Sequence, residues 1–128
     1  MANLNKVFLV GRLTRDPELR YTPSGQPVAS FGLAVNREYT TREGKKEEET
    51  CFVNIVSWGK QAELCSEYLR RGHQVLVEGR LKYRSWETVE KEKRAVLEVQ
   101  AENIQFLEKI GGGPVLEKEE ISDNETES

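Results

Sequence analysis

The 128-residue chain is poor in the side chains that most often carry chemistry: it has one histidine, one methionine and two cysteines. The lone histidine, His73, has no Ser or Cys beside it in a recognisable nucleophile motif, and it reads as a structural or solvent-facing residue. Cys51 and Cys65 form no disulfide framework and lack the second Cys/His pair that zinc requires, so both read as reduced thiols of a cytoplasmic protein. Long apolar runs are also missing. The longest early run, "VFLV" (7–10), falls far short of a signal-peptide core or a membrane span. The glutamates at 47–49 lack the spacing of a calcium loop, and "GKKEE" (44–48) lacks the preceding Gly and following Ser/Thr of a phosphate loop. Together these absences point to a protein that is not an enzyme, with no cofactor, metal or membrane partner.

A net charge of -3 argues against a uniformly basic nucleic-acid binder, but the charge is unevenly spread. Residues 1–110 hold 18 Lys and Arg against 16 Asp and Glu, whereas residues 111–128 hold 1 against 6. The acidity belongs to the end of the chain. There "GGGP" (111–114) breaks the pattern, and "EKEEISDNETES" (117–128) offers too little apolar surface to offset the entropy of ordering it. The sequence therefore divides into a folded domain over 1–108 and a flexible acidic tail over 109–128. A single domain of that size buries roughly two-thirds of the surface its unfolded chain exposes.

Within the domain, five segments read as strands: 5–14, 27–39, 50–59, 74–87 and 94–107. The connection 16–27 is dense in Pro and Gly, and 40–49 and 87–94 read as long polar hairpin loops. One helix is expected over 60–72. Leu64, Cys65, Tyr68 and Leu69 form its buried stripe, Arg70 and Arg71 lie in its last turn, and Gly72 is its C-cap. Glycines within strands (Gly11, Gly32, Gly79) suit the bulges and tight bends of a small closed barrel. The fold class is all-β with one helix. Five strands with a helix between the third and fourth is the order of an OB-fold barrel, and an open five-stranded sheet capped by the helix competes with it.

The stretch "GRLKYRSWE" (79–87) poses the functional question. Strand alternation puts Arg80, Lys82, Arg84 and Trp86 on one face and Leu81, Tyr83 and Ser85 on the other. A solvated face explains the cations, but a large flat ring at the end of the row needs another reason. Phe52 and Trp58 share parity with Asn54 and Val56, with Lys60 just beyond, and Tyr39 enters a loop containing Arg42, Lys45 and Lys46. Aromatics beside cations at three places suit single-stranded nucleic acid, whose phosphates attract Lys and Arg and whose unstacked bases need π faces. Duplex DNA hides its bases and gains little from such rings. Phe31 and Tyr68 follow core patterns instead.

The segments "NKVFLVGRLTRDPELRYTPSGQPVASFGLAV" (5–35), "WGKQAELCSEYLRRGHQVLVEGRL" (58–81) and "YRSW" (83–86) resemble the bacterial single-stranded DNA-binding protein family. The resemblance runs over about residues 3–108. It implies an OB-fold, a homotetramer, and wrapping of single-stranded DNA in replication, recombination and repair, in the cytoplasm at the nucleoid. Carried over by position, the family's stacking aromatics fall on Tyr39, Phe52, Trp58 and Trp86, and its basic contacts on Lys60, Arg71, Lys82, Arg84 and Arg94. Arg80 joins them from strand parity alone. Better-known members carry Trp at positions 39 and 52 and Phe at 58. Their tails end in acidic residues followed by Pro-Phe, which dock replication and repair proteins. "NETES" carries the acid without that tip, so either the sequence is truncated or recruitment through the tail is absent or altered. An adaptor of the primosome type, with its aromatics buried between subunits, is the competing function. A metal-dependent nuclease has no carboxylate cluster to support it.

Overall fold

A computed structural model describes residues 2–107, so the expected acidic tail lies outside the described residues. The elements run β1 (Val7–Leu13), β2 (Glu18–Tyr21), β3 (Pro27–Thr40), β4 (Lys46–Trp58), α1 (Gly59–Tyr68), β5 (Gln74–Glu87) and β6 (Lys93–Phe106). The strands pair in the order β1-β5-β6-β4-β3-β2. A second pairing of β1, with β3 through Arg12↔Ala34 and Leu13↔Leu33, closes five of them into a ring and rules out the open sheet. All contacts in the ring are antiparallel except β4 with β6, which run parallel over Asn54–Val56.

Alternation explains the core. Phe31, Leu33, Ile55, Val75, Val77 and Val99 project inward, and Cys65 of α1 and Leu69 just after it pack against them. Burial pushes the Cys65 thiol up to about 12, which makes it an inert small hydrophobe rather than a nucleophile. The helix is shorter than its periodicity suggests. It ends at Tyr68, so Arg70 and Arg71 lie outside it; its buried residues are Ala62 and Cys65, Leu69 is buried just past its end, and Leu64 faces solvent. Arg70 still serves the helix end, because its guanidinium donates to the carbonyls of Ser66 and Leu69. Gly72, at φ 92°, forms the tight turn into β5 rather than the C-cap. His73 is structural, its Nδ1 accepting the Arg70 backbone N–H at 3.1 Å.

The connection 16–27 contains β2, which lies outside the ring and pairs with the start of β3. The loops expected over 40–49 and 87–94 are shorter than that, because strand runs in from both sides. Only five-residue turns remain, at 41–45 and 88–92. All three hairpins use one device. In each, a threonine (Thr22, Thr41, Thr88) donates its N–H to the carbonyl four residues on and accepts that residue's N–H through Oγ1. The residue in between has positive φ: Gly25 at 89°, Gly44 at 83° and Lys91 at 66°.

Glycines in the strands have a different role. A Cβ on Gly11 would collide with the Ala34 carbonyl, and one on Gly79 with the Gln100 carbonyl, because strands cross closely there as the ring closes. Gly79 also marks the register shift between β5 and β6. Gly79→Ala and Gly11→Ala are expected to lower stability by about 1–3 kcal/mol each, read from the urea midpoint. A midpoint unchanged in both would mean that closure does not need bare backbone. In the turns the expectation reverses with residue type. Lys91→Gly relieves about 1–2 kcal/mol of left-handed strain against about 0.4–1 kcal/mol of added chain entropy, for a net gain of about 0.5 kcal/mol. Gly44→Ala, with nothing near its Cβ, is expected to cost about 1 kcal/mol by conformation alone.

Candidate nucleic-acid interface

Because Ile55 and Ser57 of β4 point into the barrel, Phe52, Asn54, Val56 and Trp58 point out. Cross-strand register extends that outer face. Glu98 and Gln100 of β6 lie beside Asn54 and Val56, Lys82 and Arg80 of β5 pair with Glu98 and Gln100, and Trp86 pairs with Arg94. Phe52, Trp58, Arg80, Lys82, Arg84, Trp86 and Arg94 therefore share one surface across β4, β6 and β5. Past the barrel, β5 and β6 continue as a two-stranded ribbon with both faces exposed, and Trp86 and Arg94 sit near its tip, where they line a shallow cleft with Tyr83 and Lys93.

The rings on this face are accessible. Phe52 is 73% exposed, Trp58 41% and Trp86 44%, so each keeps part of its ring free for a stacking partner. The Arg84 guanidinium lies 4.8 Å from the Trp86 ring and covers part of it. Arg84 also reaches Glu98, Nε to Oε1 at 3.5 Å, while Arg94 pairs with Glu92 at 2.6 Å. Among the described residues Lys60 and Lys82 have no ion-pair partner, which leaves their ammonium groups available to an incoming anion. Positive charge and flat apolar surface thus alternate along one face.

Not every expected residue joins it. Tyr39 pairs with Glu47 and shares parity with Val35, so it lies on the other face of the β3–β4 ribbon from Phe52, which pairs with Ala34. Arg37 covers the Tyr39 ring at 4.9 Å and pairs with Glu49 at 2.7 Å. Lys60 stands beside Trp58 at the start of α1. Arg71 lies three residues past the far end of that helix, which rises about 12 Å from Lys60 to Tyr68. There its backbone N–H is held by Asp16 Oδ1 at 2.8 Å.

Sequence reasoning missed Arg37, Glu98 and Gln100. The latter two alternate with apolar residues in "VLEVQAENI" and read as a solvated face, yet they are only 6% and 7% exposed. The ring of Trp58 and the side chain of Arg84 cover them, and neither neighbour is close in sequence. The Trp58 indole donates to Gln100 Oε1 at 2.8 Å, and Gln100 Nε2 donates to Glu98 Oε1 at 3.2 Å.

The model of the single-strand binding protein family matches residues 4–107. The chain is 51% identical over 110 residues to single-stranded DNA-binding protein A of Bacillus subtilis, covering 86% of this chain and 63% of that one. It is 52% identical over 108 residues to a single-stranded DNA-binding protein of Halalkalibacterium halodurans, covering 84% and 63%. The chain thus spans a little under two-thirds of the length of these curated relatives. Among solved structures, a Plasmodium falciparum SSB in complex with ssDNA superposes with a TM-score of 0.76 at 29% identity, over 84% of this chain and 98% of that one. The Thermus aquaticus single-stranded DNA-binding protein, as a deletion mutant, gives 0.73 at 38% identity, over 89% and 54%. The closed barrel with its single helix is accordingly an OB-fold, and the chain belongs to the single-strand binding protein family.

Proposed function

We propose that this chain binds single-stranded DNA without regard to sequence and protects it during replication, recombination and repair. The observation that carries the reading is the shared face of Phe52, Trp58 and Trp86 interleaved with Arg80, Lys82, Arg84 and Arg94. Rings of this kind accept any base, because every base has a π face, and the cations follow the phosphates between them. The names of the bacterial relatives and the DNA bound in the Plasmodium falciparum structure support the same reading. Lys60 extends the cationic track from the helix end. Tyr39 and Arg71 would be reached by a strand that wraps around the barrel rather than crossing one face.

The chain acts in this reading as a binding protein rather than an enzyme, in the bacterial cytoplasm and as a homotetramer. Exposed apolar side chains away from the stacking face, Phe8 at 65% and Leu97 at 58%, support coverage by further copies. Recruitment of replication and repair proteins would fall to the acidic segment beyond the described residues. An adaptor that buries its aromatics between subunits is less well supported, because the same face carries Lys60 and Lys82, which have no ion-pair partner among the described residues and which a subunit interface would have to desolvate.

Tryptophan fluorescence tests the proposal. Titration with oligo-dT is expected to quench both indoles at near-stoichiometric concentration, while duplex DNA of equal length leaves them largely unchanged. No quenching by either overturns DNA binding and points to the adaptor. Trp86→Ala is expected to weaken oligo-dT binding by about 1–3 kcal/mol. Lys82→Ala is expected to lower the slope of log K against log salt by about 0.7, the share of one phosphate contact. Affinity unchanged in Trp86→Ala removes that residue from the stacking surface.

A further inference from the structure

Two indoles on the binding face are joined from beneath. Trp58 Nε1–H donates to Gln100 Oε1 at 2.8 Å, Gln100 Nε2 donates to Glu98 Oε1 at 3.2 Å, Glu98 Oε1 holds Arg84 Nε at 3.5 Å, and the Arg84 guanidinium lies 4.8 Å from the Trp86 ring. The middle of this chain is buried while both rings are about half exposed. Glu98 and Gln100 face the same way as the DNA-binding cations, yet they are too deep to meet a phosphate, and a carboxylate would repel one. Their place has to be explained by what they hold.

The chemistry of the two ends fixes the middle. An indole N–H can only donate, and an ionised carboxylate can only accept. The Gln100 amide sits between them, so its oxygen must turn to Trp58 and its NH2 to Glu98; the flipped amide would face donor with donor and acceptor with acceptor. Arg84 balances the charge of Glu98, which otherwise would be an unpaired buried anion. We infer that Gln100, oriented by Glu98, is a positioning residue for base stacking: it locks the Trp58 indole in its half-exposed pose before DNA arrives. This rests on the single-strand-binding reading above and names a residue that acts through Trp58 without touching DNA. A ring already held loses less rotational freedom when a base stacks on it, and the gain appears as affinity.

The test begins in DNA-free protein. The Trp86 N–H has no acceptor among the described residues, whereas the Trp58 N–H is bonded to Gln100. By NMR the Trp58 indole N–H is expected to exchange with solvent on the order of tenfold more slowly than that of Trp86. Gln100→Leu, similar in shape but without an acceptor, is expected to weaken oligo-dT binding about 3- to 10-fold. The salt slope should not change, since no phosphate contact is lost. In a Trp58→Phe background, where a ring remains but no N–H, Gln100→Leu is expected to cost nothing further. An equal loss in both backgrounds, or equally fast exchange of the two indoles, overturns the inference. If Gln100→Leu does not fold, the exchange rates in the wild-type protein decide the matter alone. A wild-type protein that fails to bind oligo-dT overturns the binding proposal and with it any role of Gln100 in binding; slow Trp58 exchange in that sample shows that function failed and not the geometry.

Discussion

Strand β1 pairs with β5 along Val7–Arg12 and with β3 at Arg12 and Leu13, so five strands share one ring and one interior. A ring that small leaves room inside for one layer of side chains, and every second residue of each strand is committed to it. The remaining residues have no choice but to face out. Closure also forces backbones together where strands cross, at Gly11 against Ala34 and at Gly79 against Gln100. The second of these contacts matters for the site. It brings β5 onto β6 beside Gln100, the residue that Trp58 uses, and lets Arg80 and Lys82 line up opposite Gln100 and Glu98. The cationic row and the ring of Trp58 therefore meet because β6 pairs with β5 on one side and β4 on the other, although they lie more than twenty residues apart in the chain.

Much of this was legible in the sequence. Period-two alternation located the five ring strands and sorted Phe31 from Phe52, and the parity of Arg80, Lys82, Arg84 and Trp86 is the parity the register shows. Other parts were hidden for identifiable reasons. Strand β2 has four residues between prolines at 17 and 23, and proline punctuation reads as loop. The glutamates at 47–49 have poor β propensity but lie opposite Tyr39, Glu38 and Arg37, so cross-strand pairing overrides it. Periodicity carried the helix past Tyr68 because Leu69 keeps the stripe going, yet Leu69 is already extended and is buried from the following turn. Tyr39 lies on the opposite face of its ribbon from Phe52, which was not legible because the expected strand stopped at Tyr39 and the chain beyond read as loop. Glu98 and Gln100 could not be found at all by pattern. Their burial comes from Trp58, about forty residues away, and Arg84, on the neighbouring strand.

An anion under a cationic face looks self-defeating until the distances are compared. Glu98 is 6% exposed and already engaged by Arg84 and Gln100, so its field at the surface is partly cancelled where it stands. A phosphate approaching from solvent meets Lys82 and Lys60 first. What Glu98 supplies is direction: it turns the Gln100 amide, and it holds Arg84 where the guanidinium can lie over Trp86. In the proposed binding mode, order in the rings and attraction for the backbone thus fall to different residues of one face.

That division follows the architecture outward. On the barrel wall Trp58 is backed by a packed core and tied by a hydrogen bond, whereas Trp86 sits on a ribbon whose two faces are both exposed. Two strands without a core beneath them are marginal in water, and here the tips rely on ion pairs such as Arg37 with Glu49 across β3 and β4 and Arg94 with Glu92 beside the turn, which contribute little at such exposure. The face therefore grades from rigid to adaptable along its length. In the proposed binding mode, the ring fixed on the barrel wall would anchor a DNA strand, and the exposed ribbon would adapt to the bases that follow. Binding without regard to sequence, as proposed for this chain, would need both, since a wholly rigid row of rings would favour the base spacing of one conformation and a wholly mobile one would lose its affinity to ordering.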